Sequence, residues 1–255
     1  MNNLVRAEIY KLNRNKVLWV LIGTVAGLSS LLHFLVVTDW WMMFGTAFDS
    51  VGLSELNALS PFTVPLFFNL IVGTFGAYYI ATDFSQNRTI KNQIISGNRR
   101  TRIFMARYLV FSFVSIFITI VIPLLTAIII IIFFGQGDIF TSSNIIYLGK
   151  AYGLFAMHFL SFTAMVFLIA LFTEDSGKTI LFTLLISAVV FAIEKLITAP
   201  IITILYENTF FNQFGEAFQV TMSGGELVKS ICIGVGSLLV IVLAGVAVFN
   251  RKEIH

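Results

Sequence analysis

Charge is what this 255-residue sequence has least of. Asp, Glu, Lys and Arg together make up 11%, against about a quarter in soluble domains. So few charges cannot cover the surface of a water-soluble fold of this length, which excludes an ordinary globular enzyme. A single cysteine, Cys232, excludes a disulfide scaffold. Four prolines and eighteen glycines exclude collagen-like and low-complexity chains. The three histidines, His33, His158 and His255, form no His-x-x-x-His or Glu-x-x-His pair, so no zinc signature exists. There is no Gly-x-Ser-x-Gly elbow for a nucleophile. The stretch Glu174-Asp175-Ser176-Gly177-Lys178-Thr179 ends like a phosphate-binding loop, but position 172, where the leading glycine belongs, is Phe172. It reads as a turn. Asn87-Arg88-Thr89 matches a glycosylation sequon on what the charge pattern makes the cytoplasmic side, where it has no use.

What is abundant is apolar: 58% hydrophobic residues, 27 of them Phe, and a mean hydropathy of +0.93. A helix needs roughly 20 apolar residues to cross about 30 Å of hydrocarbon. Six runs qualify, at about 17–37, 61–81, 106–134, 149–172, 179–199 and 228–249. The reading is therefore an all-α polytopic membrane protein with six spans in one transmembrane domain. The third run exceeds a single crossing, and Pro123 within it predicts a kink. The first is an uncleaved span, too long for a signal peptide core.

Thirteen of the sixteen cations fall on one side of these spans: Arg6, Lys11, Arg14, Lys16, Arg88, Lys91, Arg99, Arg100, Arg102, Arg107, Lys178, Arg251 and Lys252. The other side carries Asp39, Asp49, Glu55, Asp138, Glu207, Glu216 and Glu226. The positive-inside rule then puts both termini in the cytoplasm. The connections are short, the longest being 38–60, 82–105 and 200–227, so an energy-transducing domain is expected on another chain.

Polar groups within the spans are costly in lipid and mark candidate pathways. Glu194 and Lys195 lie near the outer end of the fifth span; as neighbours they project about 100° apart, which predicts that they do not simply pair. His33 lies at similar depth in the first span, either as an interfacial residue or beside Glu194. His158, deeper in the fourth, is expected to hydrogen-bond a neighbouring helix. Gly23-x-x-x-Gly27 and Gly149-x-x-x-Gly153 permit close helix approach. Pro61 and Pro65 predict an irregular start to the second span, where Phe67, Phe68 and Asn69 are pathway-wall candidates.

Two cytoplasmic segments stand out. Residues 3–16 place Leu4, Val5, Ile9 and Leu12 on one helical stripe with Arg6 and Arg14 opposite, an interfacial helix in the headgroup region; Glu8 interrupts the stripe. In 83–107, Ile90, Ile94 and Ile95 have helical spacing, Gly97 supplies a stop, and Asn98 is placed to cap the next helix. This short helix presents isoleucines amid cations, either to anionic lipid or to a groove on a soluble partner.

The order of a basic amphipathic N-terminal helix, six spans and a basic second-to-third loop resembles the permease subunit of type-two ATP-binding-cassette exporters, in bacterial forms linked to antimicrobial-peptide immunity and peptide-toxin export. The loop reads Arg88-Thr89-Ile90-Lys91-Asn92-Gln93-Ile94-Ile95-Ser96-Gly97, followed by Arg99-Arg100 and Arg102-Ile103-Phe104. The resemblance implies that 83–103 holds a coupling helix, with Arg88, Ile90, Lys91, Ile94, Ile95 and Gly97 meeting a separate ATPase subunit. It implies a second permease chain, identical or paralogous, and no cofactor on this chain, ATP and Mg being held by the partner. It also implies short re-entrant helices within 200–227 and a place in the bacterial cytoplasmic membrane. Membrane lipid is an expected partner and nucleic acid is not. The function implied is export of an amphipathic or lipophilic cargo, with no enzymatic activity on this chain. The rival expectation from the residues is a proton-coupled secondary transporter using Glu194 and His33, or a non-transporting membrane scaffold.

Overall fold

The computed structural model describes residues 1–86, 88–135, 139–196 and 199–252, without the side chains of 85, 86, 88 and 89. Among them no strand occurs. An N-terminal helix α1 (Asn2–Asn13) is followed by α2 (Lys16–Val37), the first span. The second span is α3 (Pro65–Phe84), and the loop helix is α4 (Arg88–Ile95). Three more spans follow: α5 (Arg100–Phe134), α6 (Ser142–Thr173) and α7 (Ser176–Leu196). Two short helices, α8 (Pro200–Glu207) and α9 (Gln213–Glu216), precede the sixth span, α10 (Gly224–Arg251). Six helices are thus long and apolar enough to cross a membrane.

Local chemistry sets the ends of these elements. Asn15 caps α2 by accepting from the Val17 N–H at 2.9 Å. The second span starts four residues later than its apolar run. Pro61 falls instead inside a 3₁₀ segment (Ser54–Thr63), and Pro65, whose missing N–H costs nothing in a first turn, opens the helix. A π turn (Phe117–Val121) lies in α5 just before Pro123, where the ring removes the regular backbone bond. A second π turn (Ala77–Ala81) lies in α3. Between α6 and α7, Glu174 adopts a left-handed conformation (φ 50°), and the Asp175 carboxylate accepts from the Lys178 N–H at 2.8 Å. The phosphate-loop lookalike is a capped turn.

The fourth span is the hub. Two thirds of its apolar stretch is buried within the protein, against 17% for α7 and 11% for α10. Spans pack in pairs, α2 on the C-terminal half of α5, α3 on α7, and α6 on α10. Phe68 meets Phe155, Phe159, Phe162 and Phe214 with ring centroids 4.8–5.9 Å apart, so the segment between α8 and α10 is stapled onto the fourth span by aromatic edges. His158 makes the interhelical bond expected of it, to Ser230 Oγ at 2.9 Å. The glycine motifs behave differently. Gly23, Gly27, Gly149 and Gly153 all face open space, while close approaches occur at other glycines, among them Gly234, where a Cβ would sit 2.6 Å from Met157, Gly245, 2.6 Å from the Phe104 ring, and Gly76, 2.8 Å from Val166. Spacing within one helix does not say which face meets a neighbour.

Candidate functional site

The end of the bundle that carries the N-terminal helix holds a cluster of four charges in a buried setting. It is built from α1, α3, α4 and α5. In α1, Leu4, Glu8 and Leu12 recur every four residues and are all buried, because this stripe packs against the first half of α5. Glu8 is therefore part of the buried face. Opposite it, Arg107 lies two turns beyond Arg100 on α5 and is 1% exposed, making it the largest fully buried side chain. Its Nε is 3.2 Å from Glu8 Oε1, and its Nη1 is 3.2 Å from Asp83 Oδ2, at the inner end of α3. Lys11, one turn along α1 from Glu8, pairs with Asp83 and lies 3.9 Å from Glu8 Oε2. Two carboxylates face two cations.

Neutral donors complete the arrangement. The Tyr79 hydroxyl donates to Glu8 Oε2 at 2.8 Å, and Gln93 Nε2 of the loop helix donates to Glu8 Oε1 at 3.1 Å. Tyr79 stacks on Phe75, which stacks on Phe111, both at 5.3 Å, so the cluster rests on the aromatic core. The π turn in α3 includes Tyr79 and ends two residues before Asp83. Burial raises the Glu8 carboxyl, but Arg107, Lys11 and the two donated hydrogen bonds outweigh it, and the group lies below the usual carboxylate range. Burial and the like charge of Arg107 bring the Lys11 ammonium down to about 8, against the pull of Glu8.

The loop helix is divided by this packing. Ile90 is completely buried and Ile94 packs against the core. Lys91, Asn92 and Ile95 face outward, Ile95 being 73% exposed. The isoleucines expected as one presented set therefore split between anchor and surface. The Arg88 side chain lies outside the described residues, as do Asn87, Asp138 and His255. Gly97 ends the helix with φ +83°, its N–H bonded to Ile94 O and the Asn98 N–H to Gln93 O, a Schellman stop. Asn98 does not cap the next helix; its side-chain amide donates to Gln93 O at 3.0 Å, and Arg99 occupies the cap position of α5.

The outer candidates are placed differently. Glu194 and Lys195 line a cavity of about 510 Å³ together with Phe48, Phe191, Phe211, Phe214 and Phe218. They also pair with each other, Nζ to Oε1 at 2.6 Å, contrary to the expectation from their helical projection. Both lie exposed at the helix end, where the long Lys chain folds back freely. Such a pair contributes at most about 1 kcal/mol. Tyr206 donates to Glu194 at 3.0 Å. His33 does not line this cavity. It is buried, with Nδ1 2.7 Å from Ser29 O, on a helix tied to α5 by Ser29 Oγ and Thr126 Oγ1 at 2.5 Å. Phe67 is exposed and Phe68 is in the core. Asn69 is buried against α7, in space left by Gly73, and among the described residues neither of its amide atoms has a hydrogen-bond partner.

A family model for ABC-2 family transporter proteins matches residues 4–193. The chain belongs to the ABC-2 transporter family. The matched stretch takes in every member of the ion cluster, from Glu8 to Arg107, and the loop helix. No curated protein matches the chain. As an ABC-2 permease subunit it is the membrane component of a transporter and is not itself catalytic. Sequence reasoning took Glu8 as a flaw in an amphipathic stripe and Arg107 as one of the loop cations. The available signal was an acid on the apolar face of one helix and a cation inside the apolar run of another.

Proposed function

We propose that this ABC-2 permease forms, with a second permease chain and separate ATPase subunits, an exporter for an amphipathic or lipophilic cargo such as a peptide, toxin or antibiotic. It lies in the bacterial cytoplasmic membrane with both termini inside, and ATP and Mg are held by the ATPase. The loop helix α4 is the coupling helix. Lys91 and Ile95 on its outward face meet the ATPase, while Ile90 and Ile94 root it in the bundle and Gly97 ends it.

One observation carries this reading. Gln93 of the loop helix is bonded to Glu8, and Glu8 is paired with Arg107. A push on α4 is thereby applied to the inner ends of the second and third spans and to α1 together, rather than being absorbed by a slack loop. Two apolar anchors and a buried ion pair make α4 a lever with a fixed root.

The test is co-purification with the candidate ATPase, followed by ATPase assays with peptide, lipid and antibiotic cargoes. Lys91→Glu with Ile95→Asp should abolish cargo stimulation while leaving the permease folded. Normal stimulation in that variant would remove the loop helix from the coupling role. Transport by the purified chain alone, driven by a pH gradient and lost in Glu194→Gln, would overturn the exporter reading.

A further inference from the structure

Between α5 and α10, backed by α6, runs an apolar groove of about 390 Å³ lined by Met105, Leu109, Phe113, Ile116, Leu239 and Val242 among others. It opens sideways, away from the bundle. Leu109, Phe113 and Leu239 are 43%, 72% and 56% exposed. Tyr108, at its floor, turns its hydroxyl inward to Leu160 O at 2.9 Å, so the lining presents almost no polar surface. From Met105 to Ile116 the groove runs about 16 Å at 1.5 Å per residue. Half of a hydrocarbon core of about 30 Å is about 15 Å, the depth of one leaflet.

The groove has a charged end. Arg102 precedes Met105 by three residues and Leu109 by seven, which continues the same helical stripe beyond the apolar lining. Arg99 lies one turn before Arg102. Both are exposed, and among the described residues neither has a carboxylate within 4 Å. Their neighbour Arg100 is committed elsewhere, donating to the carbonyls of Phe249, Asn250 and Lys252 at the end of α10. Thr101 and Asn250, joined at 3.4 Å, close the mouth between the two helices with polar groups. An apolar slot one leaflet deep, ending at two guanidinium groups that meet no carboxylate among the described residues, matches an acyl chain joined to an anionic headgroup.

We propose that this groove is a binding site for one anionic phospholipid of the leaflet on the basic side, its acyl chain lying along Met105–Ile116 and its phosphate on Arg99 and Arg102. The lipid fills the seam between the third span, which carries the loop helix, and the sixth.

The experiment is native mass spectrometry of the full chain in detergent, titrated with dioleoyl phosphatidylglycerol or dioleoyl phosphatidylcholine. Wild type should retain one phosphatidylglycerol in clear preference to phosphatidylcholine. Arg99→Ala with Arg102→Ala should weaken that binding about 30-fold, or about 2 kcal/mol at 1.4 kcal/mol per tenfold and about 1 kcal/mol per cation. Arg99→Lys with Arg102→Lys should restore most of it. Leu109→Trp, which fills the slot, should remove the lipid while leaving the arginines in place. Arg6→Ala with Arg14→Ala, cations elsewhere on the basic side, should leave the preference unchanged. Equal retention of both lipids by wild type, or an undiminished preference in Leu109→Trp, would overturn the proposal. So would efficient disulfide cross-linking between two copies through Phe113→Cys, since a second chain would then occupy the groove.

Discussion

Arg107→Met is the most informative single change. It keeps an unbranched stem beside Phe84, whose ring centroid lies 5.9 Å from the guanidinium carbon, while deleting the charge between Glu8 and Asp83. Those carboxylates, 2% and 14% exposed, are then left with Lys11 as their one shared cation. Removing one member of a buried ion pair costs about 3–5 kcal/mol, because the partner's desolvation is no longer offset. For a chain of this size each kcal/mol shifts the unfolding midpoint by about 2–4 °C, giving a fall of roughly 6–20 °C. Glu8→Gln added to Arg107→Met removes the opposite charge too. It keeps an acceptor for the Tyr79 hydroxyl and leaves Lys11 balanced by Asp83. The double variant should therefore unfold closer to wild type than the single one does. The assay is thermal unfolding of detergent-solubilised protein across the four members of the cycle. A strictly additive cycle, or an Arg107→Met protein within 2 °C of wild type, at the roughly 1 kcal/mol resolution of such shifts, would refute the account of the cluster.

Three other outcomes follow from the same structure. Because the Glu8 carboxyl lies below its usual value in the folded protein, its contribution is fully present above pH about 4.5 and is lost as pH falls through the folded value. The wild-type midpoint should thus drop from pH 7 to pH 4 by more than that of Glu8→Gln, and equal drops would count against the ion pair. Ile90→Asp buries an unpaired charge and should yield little folded protein, whereas Ile95→Asp should purify normally and fail only in ATPase binding; size-exclusion profiles separate the two. Asn69→Leu removes a buried amide with unmet hydrogen-bonding demand and should raise stability by about 1–3 kcal/mol, read as a higher midpoint. A lower midpoint would mean that the amide has a stabilising partner.

The six spans were legible because run length and hydropathy report directly on the bilayer, and the loop helix was legible because Gly97 punctuates it. Their exact ends were less so. The second span begins at Pro65 because a 3₁₀ segment absorbs Pro61, a choice made by the packing of Leu56, Leu59 and Phe62 in the core. The ion cluster was not legible as a cluster. Glu8 and Arg107 are about a hundred residues apart, and each looks unremarkable alone, one an acid spoiling a stripe and the other a cation in a basic loop. Pairing information lives in the tertiary contact, and hydropathy windows average it away. The glycine motifs are a related case: Gly23, Gly27, Gly149 and Gly153 meet nothing among the described residues of this chain, because a permissive spacing does not choose a partner.

Why a membrane protein should place four charges where apolar packing would serve is answered by what apolar packing cannot do. A Leu or Phe contact is non-directional and tolerates sliding, whereas the hydrogen bonds that Tyr79 and Gln93 donate to Glu8 weaken steeply when distance or angle changes. At the root of α4 that difference decides how displacement is shared. A greasy joint would let the helix slip over the spans. The Gln93–Glu8–Arg107–Asp83 chain makes any movement of the loop helix either carry the second and third spans with it or break a buried pair at a cost of several kcal/mol. Replacing the cluster wholesale by apolar residues should consequently preserve or raise the midpoint while cutting the link between cargo and ATPase. A stable but fully coupled apolar variant would show that the charges serve folding alone.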